Sequence, residues 1–344
     1  MRDFSGKDNG EDRKKTDTNA FAGCNGGENA DLTTRFMRSC ANLAARGVFI
    51  GRRQNLDLSK VSSIGVGGTI LLAFYPDTLA GLTELIDELK KADLRFALLG
   101  TASNVLFPDD GEELKGAAIF TKHLRSLAID GENVFAFCGV TGAEFLQKTL
   151  AAGLTGAEFL EGIPCSIGGA TYMNAGANGR HISDILESVL AYGNGEMHVY
   201  TQRECRFSYK DSAFMHSGET ILGVTLRLKK ATSETVAENL RLLRERRAEL
   251  PKGKSLGCIF KNPLSPDNGE RRVSAGRLIE QSGMKGVKAG GARVSERHAN
   301  FIINEGGATY RDVCELIETV RGKVYETQGV KLEEEIRYLK DMWQ

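Results

Sequence analysis

The chain has 344 residues, and its 45 lysines and arginines are matched by 45 aspartates and glutamates, so the formal net charge is zero. That balance gives no general attraction for nucleic acid or an anionic membrane, so any anionic ligand must meet a local cluster of cations. An apolar fraction of 41%, with no run near the ~18 residues of a membrane span, describes a globular chain of two or three domains.

Residues 1–35 are polar, rich in Gly, Asn and Asp and without hydrophobic period, and read as a disordered tail. The tail resembles neither a signal peptide nor a transit peptide. Periodicity begins with "FMRSCANLAARG" (36–47). "ILLAFYP" (70–76) then reads as a buried strand, "LAGLTELIDELKKADL" (79–94) as an amphipathic helix and "RFALLG" (95–100) as a second strand. Between 117 and 228 short β-like runs, such as "NVFAFCG" and "ILGVTLRLK", surround a helix at 142–152. From 229 a long charged helix is followed by "SLGCIFKNP" (255–263) as a strand, two further helices and the strand "NFIINEG". The pattern is α+β in three parts, divided at about 122 and 228.

The seven cysteines (Cys24, Cys40, Cys138, Cys165, Cys205, Cys258, Cys314) are scattered, odd in number and never spaced C-x-x-C. They suggest neither a metal site nor a disulfide framework, and they favour a reducing cytoplasm.

Five segments carry candidate chemistry. "LLGTASNVLFPDDG" (98–111) runs from a strand into small residues, which lets backbone N–H groups approach a phosphate; Ser103 and Asn104 add side-chain donors. "EGIPCSIGGATYMNAGANGRHISDIL" (161–186) holds Gly162, Gly168, Gly169, Gly176 and Gly179 within eighteen residues. Either segment alone reads equally as a turn, but two of them in one chain point to a dinucleotide-sized cofactor. "CRFSYKDSAFMH" (205–216) places an aromatic, a cation, a carboxylate and a hydroxyl on consecutive residues, and "KLEEEIRY" (331–338) lines up three acids. In "SLGCIFKNP", Cys258 is either a thiol held ready for chemistry or a small packing side chain.

Eight ordered blocks resemble the UDP-N-acetylenolpyruvoylglucosamine reductase (UDP-N-acetylmuramate dehydrogenase) family. They are "IGVGG" (64–68), "LGTASNVLF" (99–107), "GIPCSIGGATYMNAGANG" (162–179), "CRFSYKDSAF" (205–214), "GCIFKNP" (257–263), "AGRLIEQSGMKG" (275–286), "GGARVSERHANFIIN" (290–304) and "LEEEIR" (332–337). The resemblance spans residues 57–338 and implies a two-part FAD-binding region of the vanillyl-alcohol-oxidase (PCMH-type) kind, at 36–122 and 123–228. A C-terminal α+β substrate-binding domain, 229–344, follows. It further implies a cytoplasmic flavoprotein of peptidoglycan synthesis that uses FAD and NADPH to reduce a UDP-sugar, with no obligate protein partner.

By the same resemblance Cys258 donates the proton, Glu335 is the catalytic acid and Lys210 supplies the stabilising cation where the family usually has arginine. Lysine brings a point charge but cannot form arginine's bidentate fork with a carboxylate. FAD is expected against Gly67, Gly68, Leu99, Gly100, Thr101, Ala102, Ser103, Asn104, Gly162, Ile163, Pro164, Gly168, Gly169, Asn174, Gly176 and Gly179. The substrate is expected against Tyr209, Arg246 or Arg247, Lys261, Asn262 and His298. Thr101, Ala102, Cys165 and Asn178 depart from the family pattern in ways that crowd or change the cofactor site. Residues 229–257 lack the tyrosine-bearing insertion of some members, which places the chain in the shorter subclass. The competing expectations are a diverged, non-catalytic binder of flavin or UDP-sugar and a flavin oxidase of another substrate.

Overall fold

A computed structural model describes residues 27–265, 269 and 271–344. Residues 1–26 of the expected tail lie outside the described residues, but from Gly27 the chain is already helical, over Gly27–Ala45. The tail boundary at 35 therefore falls inside a helix. Phe36, Cys40 and Leu43 bury one stripe of it, and Arg35 donates to the carbonyls of Ala92 and Asp93.

The strand–helix–strand unit is present as Thr69–Tyr75, Leu79–Lys91 and Phe96–Leu99. Its helix starts where Thr78, in extended conformation, accepts from the Gly81 N–H at 3.0 Å. Leu82, Leu85, Ile86 and Leu89 form the buried face. Both strands run parallel to Ala117–Phe120, which lies between them, and Gly51–Asp57 adds an antiparallel edge. The second sheet is antiparallel throughout, in the order Glu196–Thr201, Leu186–Gly193, Thr220–Arg227, Asn133–Phe137, Leu127–Asp130. One hydrophobic core is shared by the two sheets and includes Phe145 and Leu146 of helix Gly142–Ala151.

The C-terminal part packs helix Tyr310–Gln328 on a small antiparallel sheet of Lys288–Ala289, Ala292–Val294 and Ile302–Asn304. Thr309 and Asp312 form a reciprocal cap at the start of this helix, and Gly329, at φ 66°, ends it. Among the described residues the chain crosses between its parts at several points. Ile64, Val66 and Leu106 sit in the C-terminal core, and Arg337–Tyr338 pairs in parallel with Val105–Leu106. Buried Asn304 secures the first crossing, donating to the Ile64 carbonyl at 2.9 Å and accepting from the N–H groups of Gly306 and Ala308.

Gly67 and Gly68, expected at the cofactor, belong to this crossing and do not line the cleft described below. A Cβ on Gly68 would stand 1.9 Å from the Asp109 carbonyl oxygen, and one on Gly67 would stand 2.7 Å from Phe107 Cβ. Their lack of a side chain serves close backbone packing. Gly68→Ala is expected to cost at least ~1–3 kcal/mol of stability, because backbone cannot move aside as a side chain can. Thermal unfolding checks this, and an unchanged melting temperature would contradict the packing.

Candidate active site

The three parts meet around a cleft of about 1630 Å³. Segment 255–263, expected as a strand, is an extended run held from both sides rather than a member of a sheet. Cys258 bridges Phe301, and Phe260 bridges Glu334. The Ile259 N–H donates to the Asn300 carbonyl at 2.9 Å, and the Glu335 N–H donates to the Ile259 carbonyl at 2.7 Å. The side chain of buried Asn300 accepts from Phe260 N–H at 2.9 Å and donates to Phe260 C=O at 2.8 Å. Gly257, at φ 79°, makes the turn that leads into the run.

This backbone grip places Cys258 on the cleft wall. Burial, with a further push from the Glu335 carboxylate, raises its thiol to about 12, while Lys210 and Arg247 pull the other way. The sulfur therefore carries a proton at neutral pH.

The three consecutive acids have three different partners. Glu333 pairs with Lys261 at 2.5 Å, Glu334 pairs with Arg321, and Glu335 pairs with Lys210 at 2.6 Å. Of the three, only Glu335 lines the cleft. Its carbonyl also accepts from Asn104 Nδ2 at 3.1 Å, which ties the acid to the glycine-rich wall. Lys210 reaches Glu335 from the tight turn Ser208–Asp211, where it adopts a left-handed φ of 58°. A position of that kind usually takes Gly or Asn.

Two expected contacts fall elsewhere. Asn174 lies behind the wall, where its Nδ2 donates to the Ser208 carbonyl at 2.8 Å and its Oδ1 accepts from Ser183 N–H. It thus braces the Lys210 turn instead of meeting the cofactor. Lys261 is engaged by Glu333 off the cleft, because its backbone N–H also docks on the Glu333 carbonyl. Tyr209, Arg246, Asn262 and His298 do line the cleft. Arg246 donates to Asn178 Oδ1 at 3.1 Å. Burial holds His298 below its ordinary pKa, and its Nδ1 accepts from Asn300 N–H at 3.3 Å.

Among the cleft residues, Asn300 and Arg337 lie inside matched blocks without an assigned role, and Arg272 lies outside every block. Arg272 stacks 3.8 Å from the Tyr209 ring centroid and donates to the Asn262 carbonyl at 2.7 Å. A single polar residue inside an apolar or charged run has no spacing to give it away.

The opposite wall consists of Leu99–Asn104, Gly162–Pro164, Gly168, Gly169, Gly176 and Gly179. Thr101 Oγ1 donates to the Pro164 carbonyl at 2.8 Å, so it joins the two loops instead of crowding them. Cβ atoms would meet Ser166 Oγ at 2.2 Å from Gly100 and Cys138 Cβ at 2.6 Å from Gly168. Cys165 lies against Gly142, whose Cβ would stand 2.9 Å from its sulfur. Among the described residues, the N–H groups of Thr101, Ala102, Ser103 and Asn104 have no protein acceptor. Arg337, beside them, keeps a buried Nε without a partner. Free donors and a guanidinium around an open volume fit a large dinucleotide with a pyrophosphate, such as FAD.

The comparisons agree with this geometry. A family model for the C-terminal domain of UDP-N-acetylenolpyruvoylglucosamine reductase matches residues 248–339, and one for an FAD binding domain matches residues 70–200. UDP-N-acetylenolpyruvoylglucosamine reductase of Thermotoga maritima is 37% identical over 81% of this chain and 95% of its own. That of Chlamydia felis is 38% identical over 83% and 94%. The chain belongs to the UDP-N-acetylenolpyruvoylglucosamine reductase family. The crystal structure of the Thermus caldophilus reductase superposes with a TM-score of 0.70 at 32% identity, covering 84% of this chain and 98% of that one. The FAD-binding region and the α+β class are thus as the resemblance implied.

The raised Cys258 pKa has a direct test. Because only the thiolate reacts, alkylation of Cys258 by iodoacetamide is expected to climb about tenfold per pH unit from 7 to 10. Peptide mapping follows the label, and a plateau by pH 9 would contradict the raised value.

Proposed function

We propose that this chain reduces the enolpyruvyl ether of UDP-N-acetylglucosamine enolpyruvate to the lactyl ether of UDP-N-acetylmuramate, a step of peptidoglycan synthesis. It is an FAD-dependent oxidoreductase that consumes NADPH. The observation that carries the reading is the meeting of Cys258, Glu335 and Lys210 on one wall, facing a glycine-rich wall with free N–H donors. The wall of Leu99–Asn104, Gly162–Pro164, Gly168 and Gly169 would hold FAD, which, once reduced by NADPH, would supply the hydride for the outer carbon of the enolpyruvyl group.

The protein's part is to hold the substrate and move one proton. Negative charge develops on the inner carbon and its carboxylate, and Cys258 donates to that carbon: the S–H bond breaks, a C–H bond forms and a thiolate remains. Lys210 and Arg247, which already favour the thiolate, offset its charge until solvent returns a proton. Glu335 sits between the thiol and the Asn104 loop, fixed by Lys210 and by both backbone contacts, and it supports the enol form of the substrate. Tyr209, Asn262, Arg272 and His298 form the adjoining surface for the UDP-sugar. We place the reaction in the cytoplasm; among the described residues no helix is long and apolar enough to cross a membrane.

A general acid of this kind contributes about 10²–10⁴-fold to rate. Cys258→Ala is therefore expected to lose that factor in turnover while NADPH still reduces its flavin at the wild-type rate. Cys258→Ser, which retains an exchangeable proton, is expected to keep substantial activity. Steady-state kinetics beside stopped-flow flavin reduction separates the two steps. Wild-type turnover by Cys258→Ala would remove the proton-donor role.

A further inference from the structure

Among the described residues, Arg247 is a cleft cation with neither a side-chain hydrogen bond nor an ion pair. Lys210 and Glu335 pair at 2.6 Å and cancel one another, and the protonated Cys258 adds no charge. Arg246 is exposed and bonded to Asn178, and Arg272 is engaged with Tyr209 and Asn262. Arg247 differs from all of these. It leaves the last turn of helix Ser233–Ala248 half-buried, with its stem over the open face of Gly162. A Cβ on Gly162 would lie 3.4 Å from Arg247 Cδ. Among the described residues its guanidinium forms no hydrogen bond and no ion pair, although it lines the cleft. Burial holds its pKa below the ordinary arginine value. A desolvated, unanswered guanidinium is costly unless an anion completes it.

We propose that Arg247 is the residue that grips the carboxylate of the enolpyruvyl group, while Lys210 holds and neutralises Glu335. The proposal rests on the reaction assigned above and gives it a specificity-determining residue. The substrate carboxylate is bonded to the very carbon that Cys258 protonates, so its partner must lie in the neighbourhood of Cys258. Arg247 lines the same cleft as Cys258 and is one of the two cations that favour its thiolate, and its planar fork matches a carboxylate in a way that the ammonium of Lys210 cannot. The sequence expectation had offered Arg246 or Arg247 to the substrate at its diphosphate, a different substituent of the same sugar. Gly162 has a part in this arrangement, since its left-handed φ of 68° brings bare backbone under the arginine stem.

The test compares two ligands on flavin-loaded protein, read by perturbation of the flavin spectrum. UDP-N-acetylglucosamine carries the diphosphate but no carboxylate; its enolpyruvyl ether carries both. Arg247→Gln is expected to weaken the enolpyruvyl ligand by roughly 10–100-fold, the range for charge-assisted bonds, and to leave UDP-N-acetylglucosamine within about threefold. Arg247→Lys should recover part of the loss, and the flavin spectrum and melting temperature report whether each variant is folded. Equal weakening of both ligands would assign Arg247 to the diphosphate and overturn the proposal, as would no change in either. A wild type that binds UDP-N-acetylglucosamine but gains nothing from the enolpyruvyl group would overturn the proposal together with the reaction it rests on. A wild type that prefers the enolpyruvyl ligand and an Arg247→Gln variant that keeps the preference would overturn the proposal alone.

Discussion

The active site depends on a short extended run, residues 257–261, that belongs to no regular sheet. Asn300 holds it on one side through Phe260, and residues 333–335 hold it on the other through Ile259 and Lys261. Both faces of the run are therefore tied to elements far away in the chain. A buried amide that satisfies a neighbour's N–H and C=O at once leaves no orphaned polar group. The consequence is positional: Cys258 and Glu335 are joined by one backbone hydrogen bond at the intervening Ile259 and keep a common geometry. Loss of either clamp would move acid and thiol apart before it unfolded the domain.

The electrostatics are local and self-compensating. A chain of zero net charge has no general field for an anion, so a ligand charge must be met by local cations. Lys210 enters the site from a left-handed turn that costs a non-glycine residue on the order of 1–2 kcal/mol, and Asn174 braces that turn by accepting and donating behind it. The mostly buried pair it forms with Glu335 is better regarded as a positioning device than as a source of stability, because desolvation offsets much of the attraction. With that pair neutral and the thiol protonated, the character of the cleft is set by Arg247 on the substrate side and by Arg337 and free backbone donors on the cofactor side.

Much of this was legible in the residues. The helix expected at 79–94 and found at Leu79–Lys91 announced itself by apolar spacing, and the glycine-rich segments announced a wall of bare backbone. Cys258, Glu335 and Lys210, which the motif resemblance singled out, line one cleft, and the last two form an ion pair. What failed did so for reasons of packing. Gly67 and Gly68 carry the same letters as cofactor glycines, but their missing side chains make room for Phe107 and Asp109. Asn174 and Lys261 are polar residues whose partners lie in distant segments, Ser208 and Glu333. The first helix was hidden because its polar stretch from 27 to 35 shows no apolar period until Phe36. Asn300 stood inside a matched block but its role stayed hidden for a related reason: that role is defined by Phe260, forty positions earlier.

The central claim is that one cleft joins the flavin to an enolpyruvyl UDP-sugar with Cys258 at the reacting carbon. The most direct test is an anaerobic visible spectrum of the purified protein, first with NADPH and then with UDP-N-acetylglucosamine enolpyruvate. The account predicts bleaching of the flavin band by NADPH, its recovery on adding the second ligand, and one UDP-N-acetylmuramate formed per flavin reoxidised. A flavin that bleaches and stays bleached in the presence of that ligand would contradict it.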